Sequence, residues 1–171
     1  MYKPKIDTIA AVSTAQGRAA ISIIRVSGPN TFAILGKIFV RGGKKTFPLP
    51  YSAFFGKIVD PIAQQVIDEV IVTTYLSPNS YTGEDIAEIG AHGNPVVVSR
   101  IMQLLITNGA RAAEAGEFTK RAFLNGKMDL LEVEAISQLL AANTTTQATM
   151  ALNQLDGLPS KFVAEIREKI L

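Results

Sequence analysis

The stretch YTGEDIAEIGAHGNP, residues 81–95, decides how the chain is read. It holds three acidic side chains, three glycines, a closing proline and the single histidine of the protein. Ile86 and Ile89 among polar neighbours suggest a short strand that runs into a glycine-rich turn, and Pro95 suits the first turn of a helix. That concentration of charge and backbone freedom in so short a stretch is what the rest of the chain has to explain.

Outward from this stretch the pattern is consistent. PVVVSRIMQLLITNGA (95–110) reads as a helix stopped by Asn108-Gly109. Upstream, YSAFFGKIVDP and VIDEVIVTTYLSP read as two strands with a turn at Asp60-Pro61. Residues 7–14 and 19–28 read as two more, joined by AQGR. GPNTFAILGKIF carries a helical pattern with Asn30 or Thr31 as N-cap, and VRGGKKTFPLP is a basic loop. Near residue 117 β-branched runs give way to helical spacing. Met128, Leu131, Ala135 and Leu139 share a stripe, with Ile136 and Leu140 beside it. A second helix is expected from the Thr144–Thr146 segment and a third from Pro159, whose apolar stripe ends without a cap. The expectation is a piece of a longer protein. The fold class is α+β: a mixed sheet of about five strands with flanking helices. Residues 1–117 form the α/β domain and 118–171 the first helices of a helical domain.

Composition narrows the chemistry. The chain has 171 residues, 47% of them hydrophobic, and a net charge of +2, which does not by itself announce a nucleic-acid face. Without cysteine there is no disulfide framework or thiol nucleophile, and one histidine makes a zinc site improbable. RGGKKT is not a phosphate loop, because the position five before Gly43 is Ile38 and Lys44 is followed by Lys45. No Gly-x-Ser-x-Gly elbow accompanies His92. The opening residues do not read as a signal peptide and no run is long and apolar enough for a membrane span, so a cytoplasmic location is expected.

Three ordered segments carry a resemblance: DTIAAVSTAQGRAAISIIRVSG (7–28), SPNSYTGEDIAEIGAHG (77–93) and GEFTKRAFLNGKMDLLEVEAI (116–136). Together they resemble the N-terminal part of the tRNA-modification GTPases of the MnmE/TrmE type, to about residue 157. The departures are Ala115 where that family has Pro, Asn94 where it often has Gly, and Ala15-Gln16-Gly17 where it has Pro-Pro-Gly. The family's GTPase domain has no counterpart here.

The resemblance implies an aminomethyltransferase-like, folate-binding and dimerising domain. It implies a reduced folate as ligand, 5-formyl- or 5,10-methylenetetrahydrofolate, with Arg25, Glu88 and Lys127 at matching folate-contacting positions. It implies a homodimer that works with a flavin-dependent partner of the MnmG/GidA type on position 5 of the wobble uridine of tRNA. GTP, Mg2+ and K+ would belong to the full-length GTP hydrolase, and this region alone is expected to be non-catalytic. Each residue also has a plainer reading. Glu88 reads as a solvated strand carboxylate, Arg25 as half of an internal salt bridge, and Lys127 as a cation at a helix C-terminus. Glu84 and Asp85 are expected to brace the turn, and His92 to tie it to a neighbouring carbonyl. A free-standing one-carbon transferase and a purely structural dimerisation module are the alternative functions.

Overall fold

The computed structural model describes residues 7–42 and 51–156. The chain divides into two compact units, Met1–Phe118 and Thr119–Leu171. The helix read from Pro159 and most of the basic loop lie outside the described residues.

The first unit is built on one sheet. In chain order its strands are β1 (Ile9–Val12), β2 (Ile21–Ser27), β3 (Phe39–Val40), β4 (Ser52–Asp60), β5 (Gln65–Tyr75), β6 (Ile86–His92) and β7 (Arg111–Ala112). The spatial order is β3-β4-β5-β6-β2-β1-β7. All neighbours are antiparallel except β1 and β7, so the sheet is mixed. The five long strands are those expected from sequence. The sixth and seventh are two-residue strands too short to show any alternation.

Helices α1 (Thr31–Ile38) and α2 (Pro95–Thr107) pack on one face of this sheet. Ile24, Val72, Ile89, Leu35 and Ile101 meet there with no exposed surface. Each such side chain contributes about 1.5–3 kcal/mol of burial, which makes this layer the main source of stability. Helix α2 is closely punctuated. Asn94 Oδ1 accepts the Val96 N–H at 2.9 Å, so the asparagine that stands in the family's glycine position is the N-cap. At the other end Gly109 takes φ +112, and the Gly109 and Ala110 N–H groups reach Ile106 and Leu105 oxygens, a Schellman ending. The β4–β5 turn is held by Asp60, whose carboxylate accepts from the Ile62 and Ala63 N–H groups. Those two bonds, the one from Ala63 foremost, keep it below the ordinary carboxylate range.

Gly93 closes the strand end of β6 against the segment before β2. Its oxygen accepts the Ala19 N–H at 3.0 Å, and a Cβ on Gly93 would lie 2.4 Å from the Ala19 oxygen. Backbone cannot move aside as a side chain would. Gly93→Ala is therefore expected to lower stability by about 1–3 kcal/mol. Thermal unfolding checks this, and an unchanged Tm would mean that the two segments part freely.

The second unit continues α3 (Glu117–Leu124), which begins in the first, and contains α4 (Leu130–Ala141) and α5 (Thr145–Leu155). Asp129–Glu132 and Thr144–Gln147 form complete capping boxes that start α4 and α5. Ala135 and Ala151 are buried on the two helices, and Gln154 donates to the Leu131 oxygen at 3.0 Å. No helix among the described residues is long and apolar enough to cross a membrane.

Candidate functional site

Strand alternation gives the sheet a second face, opposite α1 and α2, and its residues fall into rows set by the register. One row runs Ala53, Thr73, Glu88, Arg25 across β4, β5, β6 and β2. The next runs Phe55, Ile71, Gly90, Ile23. A polar row with one carboxylate thus borders an apolar row in which Gly90 contributes no side chain. Thr73 and Glu88 of the first row and Phe55, Ile71, Gly90 and Ile23 of the second line a cavity of about 330 Å³, together with Ile21, Glu69 and His92; Arg25 stands outside its lining, behind Glu88. Phe55, Ile71 and Ile21 are 63%, 53% and 64% exposed, so this part of the face is open.

Arg25 and Glu88 are brought together. They stand directly opposite in the β2–β6 pairing, and Arg25 Nε and Nη2 both donate to Glu88 Oε1, at 2.9 and 2.7 Å. The internal ion pair that is the plainer reading of Arg25 is present, and its partner is Glu88, another of the three candidate residues. Their side chains are 25% and 23% exposed. An ion pair this wet adds little stability, about 0.2–1 kcal/mol, so its larger effect is on orientation. Arg25 directs two of its N–H groups at one oxygen, which anchors Oε1, and makes no bond to Oε2.

Aromatic side chains fix the pair further. The Arg25 guanidinium carbon lies 5.1 Å from the Tyr81 ring centroid and 5.6 Å from that of Phe118, both within cation–π range. The Tyr75 phenol sits one row along from Glu88. Burial first, and then the Glu88 charge, push it above the ordinary tyrosine range, against a smaller opposing effect of Arg25. Tyr75, Phe118 and Thr73 were not singled out from sequence. Alternation along β5 could have put Thr73 and Tyr75 on one face, but only the register puts that face beside Glu88.

The remaining residues of the opening stretch brace the loop, as expected for Glu84 and Asp85. Ser27 Oγ donates to Glu84 Oε2 at 2.7 Å and shares a 2.8 Å bond with Thr82 Oγ1. Asp85 accepts the Ser77 N–H through its side chain and the Gly28 N–H through its backbone oxygen. His92 does tie its turn down, but to a carboxylate rather than a carbonyl. Its Nδ1 lies 2.7 Å from Asp68 Oδ1, and its N–H donates to Asp68 Oδ2. Lys127 belongs to the second unit. Gly126 takes φ +68 after α3, and the Gly126 and Lys127 N–H groups reach the Phe123 and Ala122 oxygens, another Schellman ending. Lys127 thus follows a helix C-terminus, where the dipole favours a cation.

A protein-family model, GTP-binding protein TrmE N-terminus, matches residues 8–127, which include Arg25, Glu88 and Lys127. The chain belongs to the TrmE N-terminal family. Among curated proteins it is 48% identical over 168 residues to the tRNA modification GTPase MnmE of Enterococcus faecalis. It is 47% identical over 167 residues to that of Lactiplantibacillus plantarum and 46% over 171 residues to that of Streptococcus pneumoniae. These alignments cover 98%, 98% and 100% of this chain but only 36–37% of the relatives' own length. The TrmE N-terminal match runs through both sheet rows and past the end of α3, so the family pattern takes in the ion pair, its aromatic neighbours and the turn that carries Lys127.

Proposed function

We propose that this chain is the reduced-folate-binding, dimerising region of a tRNA-modifying GTPase, one that helps install an aminomethyl-type group at position 5 of a wobble uridine. The observation that carries the reading is the Glu88 carboxylate, oriented by Arg25 beside a flat apolar row. A pterin suits that arrangement chemically. Its edge presents an amino group and a ring N–H side by side, and a carboxylate accepts such a pair through charge-assisted bonds. Its flat ring system suits a strip bounded by Ile23 and Ile71, with Gly90 leaving room between them. The cavity falls within the usual range of small-molecule sites, about 300–1,000 Å³.

In this reading Glu88 holds the pterin edge and Arg25 sets the carboxylate. Bound 5-formyl- or 5,10-methylenetetrahydrofolate supplies the one-carbon unit, while the chain's own residues bind and orient it. The exposed apolar side chains of Phe55, Ile71 and Ile21 on this face support a homodimer, since apolar surface on a sheet face marks an interaction site. GTP hydrolysis with Mg2+ and K+, the flavin-dependent MnmG/GidA-type partner and tRNA belong to the whole cytoplasmic protein.

Calorimetric titration of the 171-residue chain with 5-formyltetrahydrofolate tests the reading. Saturable binding of one folate per chain is expected. A dimer that gives no heat would overturn folate binding and leave a structural dimerisation module.

A further inference from the structure

We propose that Asp7, Arg111 and Glu117 form a clasp that positions Phe118 on Arg25, and through Arg25 sets the Glu88 carboxylate, which makes Glu117 and Phe118 positioning residues for the folate site. The role in binding rests on the folate reading above; the effect on Arg25 does not.

Arg111 is the hub. Its backbone N–H donates to the Thr8 oxygen at 2.8 Å, which places it in the edge strand β7. Its guanidinium then meets acceptors on every side. Nε donates to Asp7 Oδ2 at 2.8 Å, Nη2 to Glu117 Oε1 at 2.6 Å, and Nη1 to Glu117 Oε2 at 3.1 Å and the Ala112 oxygen at 2.9 Å. The bonds it donates to Glu117, followed by that to Asp7, raise the Arg111 pKa further, on a guanidinium that is charged in any case. Glu117 is buried and also accepts the Glu114 N–H at 2.7 Å. A planar fork with two parallel bonds to one carboxylate fixes both position and rotation, which a lysine ammonium would not do.

Glu117 opens α3, so the clasp fixes the first turn of that eight-residue helix. Its geometric effect falls on the adjacent residue. Phe118 follows Glu117 directly, and its ring stands 5.6 Å from the Arg25 guanidinium carbon, with Tyr81 as the other aromatic neighbour. Arg25 in turn places both N–H groups on Glu88 Oε1. The route from Arg111 to Glu88 passes through named contacts at each step, all within the first unit.

Phe118→Leu, Phe118→Tyr and Glu117→Gln test the proposal in the 171-residue chain, with three measurements on each: Tm, 5-formyltetrahydrofolate affinity, and the hydrogen-exchange rate of the Arg25 Nε–H by NMR without folate. Phe118→Leu is expected to weaken folate binding about 5- to 20-fold, the size of one lost cation–π contact, and to speed Arg25 Nε–H exchange by a similar factor. Phe118→Tyr restores both, which a mere loss of packing would not predict. Glu117→Gln lowers Tm, since Glu117 is buried, and shifts the Arg25 exchange in the same direction as Phe118→Leu. Wild-type Arg25 exchange in Phe118→Leu overturns the clasp as a positioning device, whether or not the chain binds folate. Faster exchange with folate affinity unchanged overturns its role in binding. Absence of folate binding by the wild-type chain sinks the folate reading, and the exchange rates still decide the contact.

Discussion

Glu88→Gln should weaken binding of 5-formyltetrahydrofolate about 30- to 1,000-fold, equivalent to about 2–4 kcal/mol. The two side chains have nearly the same size, so packing is preserved. What changes is the hydrogen-bond sign. Arg25 directs two donors at Oε1, and the pterin edge brings two more. A carboxylate accepts from both sides. An amide has one oxygen, which it can turn to Arg25 or to the ligand, and its NH2 then faces a donor on the other side. Stability should fall little, because the Arg25–Glu88 pair is partly solvated and worth about 1 kcal/mol at most. Glu84→Gln is the internal control. Glu84 accepts from Ser27 within the loop, so its loss should lower Tm and spare affinity. The discriminating measurement is affinity and Tm on the same samples. Folate binding by Glu88→Gln at wild-type strength would remove Glu88 from the site.

Phe55→Glu should abolish self-association under conditions where the wild-type chain is a dimer. Phe55 lies in the open apolar row, on β4, two strands away from Glu88. It is 63% exposed, so a charge there is well solvated in the monomer, and stability should change within about 0.5 kcal/mol. In a face-to-face dimer the same charge would be buried twice, once per copy, without a partner. Truncating or mismatching buried charge costs about 3–5 kcal/mol, enough to raise the dimer Kd by more than about 100-fold. Sedimentation equilibrium across a concentration series measures it. A mutant that dimerises like the wild type would place the interface elsewhere.

What the sequence made legible follows from how each feature is encoded. The five long strands announced themselves because hydrophobic alternation and β-branched runs are local signals, and the start of α2 because Pro95 has a definite positional meaning. Strands β3 and β7 carry two residues each, fewer than one period of alternation, and exist only because β4 and β1 lie beside them. The site divides in the same way. Glu88, Arg25 and Lys127 came from family resemblance, but their relation to one another did not. That Arg25 faces Glu88 depends on a pairing between residues 63 positions apart. Nothing local in the GEF segment marks Phe118, since its contact with Arg25 bridges an even longer separation. His92 was read as holding its turn, and it does, yet its partner Asp68 comes from another strand and had no signal in the neighbourhood of the histidine.

The two-residue strands at the ends of the sheet bear on how the protein can assemble. A long bare edge invites another chain to add a strand, and each added strand exposes a fresh edge, so that kind of growth has no natural stopping point. Among the described residues the terminal strands have two residues each and pair with only part of β4 and of β1. A broad side of the sheet behaves differently. In the proposed dimer, two copies related by a twofold axis would meet face to face at Phe55, a closed arrangement. Pairing through the face, as proposed, closes on itself, whereas pairing through an edge would not.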